Sequence, residues 1–240
     1  MRLFGKKKNI VQTDKNLKPS ERFEKVLLSR LEKEGYKHLK SKHEFVQDFE
    51  HGKRVINLSY NNTFGYISTV QYFIKIVFRD LEKSFKKAHP NYGWTNWTIH
   101  ENLHWTESTL YDDKADDYTD RSINNLADEF FREIKPRIDS TFSKIGNYSQ
   151  LNEIYNTNPS EFIDYLPPSR PEKRIINGLI LTKALEPEKF EIRKNQYFLL
   201  LNKYKENDFD EIRKEVELGL TFLNENEIKI NTTTNKTYKQ

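Results

Sequence analysis

The stretch WTNWTIHENLHWT, Trp94 to Thr106, decides the fold. Inside it His100-Glu101-Asn102-Leu103-His104 matches the His-Glu-x-x-His pattern of zinc peptidases. That chemistry needs a helix, where residues four apart share a face, so two imidazoles reach one ion while the glutamate orients the attacking water. The local pattern has a different period. Trp97, Ile99, Leu103 and Trp105 alternate with Thr98, His100, Asn102, His104 and Thr106, which is the period of two of a strand. On a helix the same apolar residues scatter to opposite sides. Thr, Trp and Ile favour strands, whereas Asn96, Thr98 and Asn102 are poor helix interiors. On a strand the backbones of His100 and His104 lie roughly 13 Å apart, at about 3.3 Å per residue. One zinc, with bonds near ~2 Å, does not span that distance. No third histidine follows at the spacing that longer zinc-peptidase signatures use. The alternative reading, a zinc-dependent hydrolase, takes His100 and His104 as ligands, Glu101 as base, and Glu129 or Glu133 as third ligand.

Upstream, Tyr66 to Phe78 is a long β-branched and aromatic run, preceded by Arg54 to Tyr60 and Glu44 to Glu50. The turn His51-Gly52-Lys53 separates the last two, so these segments read as a meander to which the tryptophan strand adds a fourth member. Before them, Phe23, Val26, Leu27 and Leu31 form an amphipathic helical stripe, with Ser20 as expected cap and Gly35 as stop. Leu81, Phe85 and Ala88 predict a short helix before Pro90. Downstream, the acidic run Asp112 to Asp120 lacks the glycine and terminal glutamate of an EF-hand loop in register, and reads as a loop leading into a helix. That helix carries Ile123, Leu126, Ala127, Phe130, Phe131 and Ile134, and continues through Ile138, Phe142 and Ile145 beyond Pro136, which is expected to kink or break it. Gly146 ends it.

The resulting expectation is an α+β fold: an antiparallel β-meander of about four strands packed against helices, followed by a C-terminal helical bundle. The expected organisation is a flexible basic arm at 1–18, an α+β domain at 19–157, a proline-rich linker at 158–171, a helical segment at 172–226 and a disordered tail at 227–240. The helical segment rests on Ile175 to Leu185, Pro187 to Tyr204 and Phe209 to Leu223, each with apolar residues at helical spacing.

Composition narrows the function. The chain has 240 residues, 32% of them charged, and a net charge of +4. Six basic residues against Asp14 place +5 in the first eighteen positions, so the remainder is close to neutral. Nucleic-acid or anionic-lipid contact is therefore expected only through the arm. Cysteine is absent, which excludes disulfides, thiol nucleophiles and cysteine-ligated zinc, and fits a reducing compartment. No apolar run approaches the ~20 residues of a membrane span, and no apolar segment follows the basic N-terminus, so the expected location is cytoplasmic. There is no Gly-rich phosphate loop and no G-x-S-x-G, and no cofactor is expected.

Helix, LEKEGY, strand, RVINLSYNNT, long strand, tryptophan strand, then an acidic approach to a helix carrying EIKPRID: in this order the segment Pro19 to Gln150 resembles bacterial cytoplasmic α+β domains of unknown function. Some of these look like components of toxin and immunity loci. The resemblance implies a stoichiometric binder of another protein and carries over no catalytic residue. The expected function is accordingly a non-enzymatic interaction protein. Trp94, of opposite parity to Trp97 and Trp105, and its neighbour Tyr92 are the expected partner contacts.

Overall fold

The structure is a computed structural model and describes residues 10–63, 66–90, 97–106, 119–163, 171–203 and 209–231. It is α+β, with an open antiparallel sheet of five strands in the order β1-β2-β3-β4-β5. These are β1 (Lys37–Leu39), β2 (Glu44–Phe49), β3 (Gly52–Thr63), β4 (Tyr66–Phe78) and β5 (Ile99–Thr106). The helices are α1 (Pro19–Leu31), α2 (Arg79–Ala88), α3 (Asp120–Glu129), α4 (Lys135–Lys144), α5 (Tyr148–Asn156), α6 (Pro171–Leu185), α7 (Phe190–Lys203) and α8 (Phe209–Glu225). The strand beyond the expected four is β1, only three residues long, paired with β2 as Lys37↔Val46, His38↔Phe45 and Leu39↔Glu44.

Local chemistry explains the element ends. Pro19 starts α1, and the Lys18 N–H donates to Glu21 Oε2 at 3.0 Å, so the cap is the Lys18–Glu21 pair and Ser20 lies inside the helix. Gly35, at φ 84°, closes the turn after α1. Gly52 serves close approach and not turn geometry: a Cβ there would stand 1.7 Å from the Val77 carbonyl oxygen. Thr119 caps α3, its Oγ1 accepting from the Ser122 N–H at 3.1 Å. Helix continues unbroken from α3 into α4, and Phe130–Ile134 between them is a π turn. Pro136 lacks a donor and its ring opposes the Arg132 carbonyl, four residues back, so the wider turn just before it replaces the expected break.

The contacts fall into two compact units, the first comprising Met1–Gln47, Val55–Phe73 and Asn102–Asp139. In it α1 packs on α3, burying Phe23, Val26, Leu27 and Leu31 with Ile123, Leu126 and Ala127. Arg22 reaches Asp120 at 3.2 Å and Arg30 reaches Asp128 at 2.7 Å along the same helix pair. Val11 exchanges two hydrogen bonds of 3.0 Å with the Asn124 amide, and Thr13 Oγ1 donates to Asp120 at 2.6 Å. The arm read as flexible from Met1 to Lys18 is thus anchored at Val11 and Thr13, while residues 1–9 lie outside the described residues.

The second unit comprises Asp48–Arg54, Ile74–Glu101 and Ser140–Gln240. Its centre is α6, which touches α2, α5, α7 and α8. Every residue from Pro171 to Thr182 is buried, including Glu172, Lys173, Arg174 and Asn177. An amphipathic stripe does not describe this helix; it is covered all round. Tyr155 of α5 and Tyr197 of α7 are fully enclosed, and the Tyr197 hydroxyl donates to the Tyr155 carbonyl at 2.8 Å.

Candidate functional site

HENLH lies on β5, a strand, as its alternation requires. Successive side chains point to opposite faces, so His100 and Glu101 do not converge. Ile99 and Leu103 are buried, and Glu101, between them in parity, accepts from the buried Thr141 hydroxyl of α4 at 2.8 Å. Among the described strands β5 is at the edge of the sheet. A carboxylate on the inward face of an edge strand discourages pairing with other chains, which gives Glu101 a structural reason. The His100 ring stacks on Trp97 at 5.0 Å, and burial followed by the charge of Lys75 holds it below its ordinary value. Of the other candidates, Glu133 is exposed and paired with Arg132 at 2.9 Å, and Glu129 ends α3, where its charge helps raise the buried Tyr72 phenol. The His104 side chain, Trp94 and Tyr92 lie outside the described residues. Among the described residues no three of His, Asp or Glu are grouped to hold a metal ion.

The densest chemistry lies in the first unit, around Glu24. This carboxylate is 1% exposed on α1. Its Oε1 takes His43 Nδ1 at 2.6 Å and the Tyr60 hydroxyl at 2.8 Å, and its Oε2 stands 2.8 Å from His38 Nε2. Elements α1, β1 and β3, and the residue that leads into β2, therefore meet on one carboxylate. Burial alone would raise Glu24, but the His38, Tyr60 and His43 side chains outweigh it and hold the group below its ordinary value. An ionised carboxylate only accepts, so the His43 imidazole donates to it from Nδ1, whereas His38 Nε2 stands close to it without a well-directed hydrogen bond. The Tyr60 phenol is pushed well up by burial and by the adjacent Glu24 charge.

His43 is the only non-glycine residue with positive φ among the described residues, at φ 53° and ψ 42°. That conformation costs about 1 kcal/mol. It is held on both sides: the His43 N–H donates to the Lys40 carbonyl at 3.2 Å, and its carbonyl accepts from the Leu58 N–H at 2.9 Å. Sequence patterning did not single out this cluster, although two signals were present. Glu24 falls on the apolar stripe of α1, three residues before Leu27 and seven before Leu31, and three of the six histidines lie within His38 to His51.

The second unit has its own buried charge. Lys173 of α6 is 1% exposed, pairs with Glu82 of α2 at 3.0 Å, and lies 5.0 Å from the ring centres of both Phe85 and Trp97. Burial lowers its ammonium more than Glu82 raises it. Thr98 links the network, donating to Glu82 at 2.9 Å and receiving the Phe78 N–H at 3.0 Å. Trp97→Ala should cost about 3–5 kcal/mol, since it opens a cavity and removes a ring from a buried cation; chemical denaturation checks this.

His89, with no side-chain exposure, lies 2.8 Å from Glu215 of α8. Burial holds it below 6.5, more than Glu215 raises it. The unfolded chain therefore takes up protons near that value before the folded one does, and His100 shifts the same way. Stability should fall as pH is lowered from neutral through 6.5, and a His89→Gln variant should show a shallower fall. A melting temperature flat across that range contradicts this.

No family model, curated protein or solved structure matches the chain.

Proposed function

We propose that this protein acts by binding another protein and not by catalysis. The observation that carries the reading is on α7, where Ile192 and Leu199 are 62% and 59% exposed, the two most exposed of the large hydrophobic residues described. They are seven positions apart, two helical turns, and so occupy one face with the exposed Asn195 between them. Solvent-facing aliphatics in such a pair are the material of interface anchors. The enclosure of Glu24 by His38, Tyr60 and His43, which makes it a weak base, supports the same reading. So does the resemblance to immunity-like domains, which implies a stoichiometric partner.

A cytoplasmic setting belongs to this reading, supported by the cysteine-free composition. No described helix is long and apolar enough to cross a membrane. A photo-activatable phenylalanine analogue at Asn195, introduced in the native host, should give a discrete protein adduct. The same analogue at the exposed Lys214 of α8 should give none. Absence of an adduct at Asn195, or equal labelling at both positions, overturns the α7 surface.

A further inference from the structure

We propose that His43 is a phosphoryl-accepting histidine, a site of modification distinct from the α7 surface. Four features of the corner before β2 lead to it. The carboxylate of Glu24, 2.6 Å from Nδ1, fixes the tautomer, so the lone pair resides on Nε2. The His43 side chain is 45% exposed although the Glu24 side chain that holds its Nδ1 is 2% exposed, so the solvent-reached part of the ring is the part away from Glu24. The left-handed backbone and its two hydrogen bonds lock the ring's origin. Lys37, Lys40 and Lys42, all exposed, precede it, against Glu44 after it in sequence and the enclosed Glu24 bonded to its ring, so the corner carries more basic than acidic groups and draws anionic donors.

The His38 imidazole approaches the same carboxylate but its side chain is only 7% exposed and it stacks on Phe45 at 4.7 Å, so it is enclosed where His43 is not. Tyr60 donates to Glu24 and meets the His43 ring edge-on at 5.4 Å. Both hold the carboxylate in place and ionised.

The step balances with a phosphoramidate donor in its zwitterionic form, whose nitrogen already carries three protons. The Nε2 lone pair attacks phosphorus, the P–N bond breaks, and neutral ammonia leaves with the bonding electron pair. The ring keeps its Nδ1 proton and becomes positively charged, and the ionised Glu24 offsets that charge. No oxidant, metal or further reactant is required.

The test uses the full chain with potassium phosphoramidate, and N-acetylhistidine as an internal standard in the same tube. Uptake is read by intact mass, phosphorus resonance and peptide mapping. One acid-labile phosphoryl group should appear on His43 about 10-fold or more faster than on the standard. His43→Gln should abolish it, and Lys40→Gln with Lys42→Gln should slow it. Glu24→Gln should slow it ~10–100-fold; where that variant does not fold, the wild-type comparison with N-acetylhistidine decides alone. Labelling of His43 no faster than the standard, or labelling mainly at another residue, overturns the proposal.

Discussion

Glu24→Ala should lower the unfolding free energy by about 3–5 kcal/mol, the range for breaking a buried, hydrogen-bonded charge cluster from one side. The substitution strands two donors at once, His43 Nδ1 and the Tyr60 hydroxyl, and removes the charge beside the enclosed His38 Nε2. It also releases the left-handed His43, whose conformation needs its neighbours to hold it. Glu24→Gln keeps an acceptor oxygen and should cost less. Linkage adds a second signature. Glu24 titrates below its ordinary 4.5 in the folded protein, so its contribution is complete above 4.5 and is lost as pH falls through the lower folded-state value. Urea titrations at neutral and acid pH measure both effects, and the wild-type advantage over Glu24→Gln should shrink on acidification. A loss under about 1 kcal/mol for Glu24→Ala would place it among ordinary surface substitutions.

Lys173→Ala should be comparably damaging, about 3–5 kcal/mol, because the largely enclosed Glu82, 13% exposed, loses its cation and the Phe85 and Trp97 rings lose the ammonium 5.0 Å from each. The pair itself adds little net stability. Burial already lowers the Lys173 ammonium, a sign that desolvation exceeds what Glu82 returns. Replacing both partners, Lys173→Met with Glu82→Gln, should therefore recover most of the loss. A double variant no better than Lys173→Ala alone would show that the ion pair carries stability of its own.

How far the chain could be read without coordinates followed from the range of the interactions involved. The alternation around Ile99 and Leu103 is local, and β5 forms over Ile99–Thr106, with Trp97 two residues before it and the Trp105 side chain outside the described residues. The runs that became β2, β3 and β4, and the stripes of α1 and α3, were legible for the same reason. Three-residue β1 carries too few positions for any period to emerge. Helix α5 lies at the end of the expected domain 19–157, where no element is expected after Gly146, although Asn147 caps it and Tyr148, Leu151 and Tyr155 repeat at helical spacing. Pro171 reads as the end of a proline cluster; in the fold it is the first residue of α6.

Buried charge was the least legible feature. Lys173 and Glu24 look like surface residues in sequence, and only partners 91 and 36 positions away, Glu82 and Tyr60, make their burial tolerable. The same holds for Gly52, whose requirement is set by the Val77 carbonyl and cannot be read from the turn beside it.

Zinc titration of the full, untagged chain tests the reading of HENLH most directly. With His100 on a strand stacked against Trp97, and Glu101 on the opposite face bonded to Thr141, calorimetry should show no stoichiometric zinc site, and elemental analysis after dialysis should find far less than one ion per chain. One tightly held zinc per chain, lost in His100→Ala and His104→Ala alike, would contradict the strand, the structural role of Glu101 and the non-enzymatic reading together.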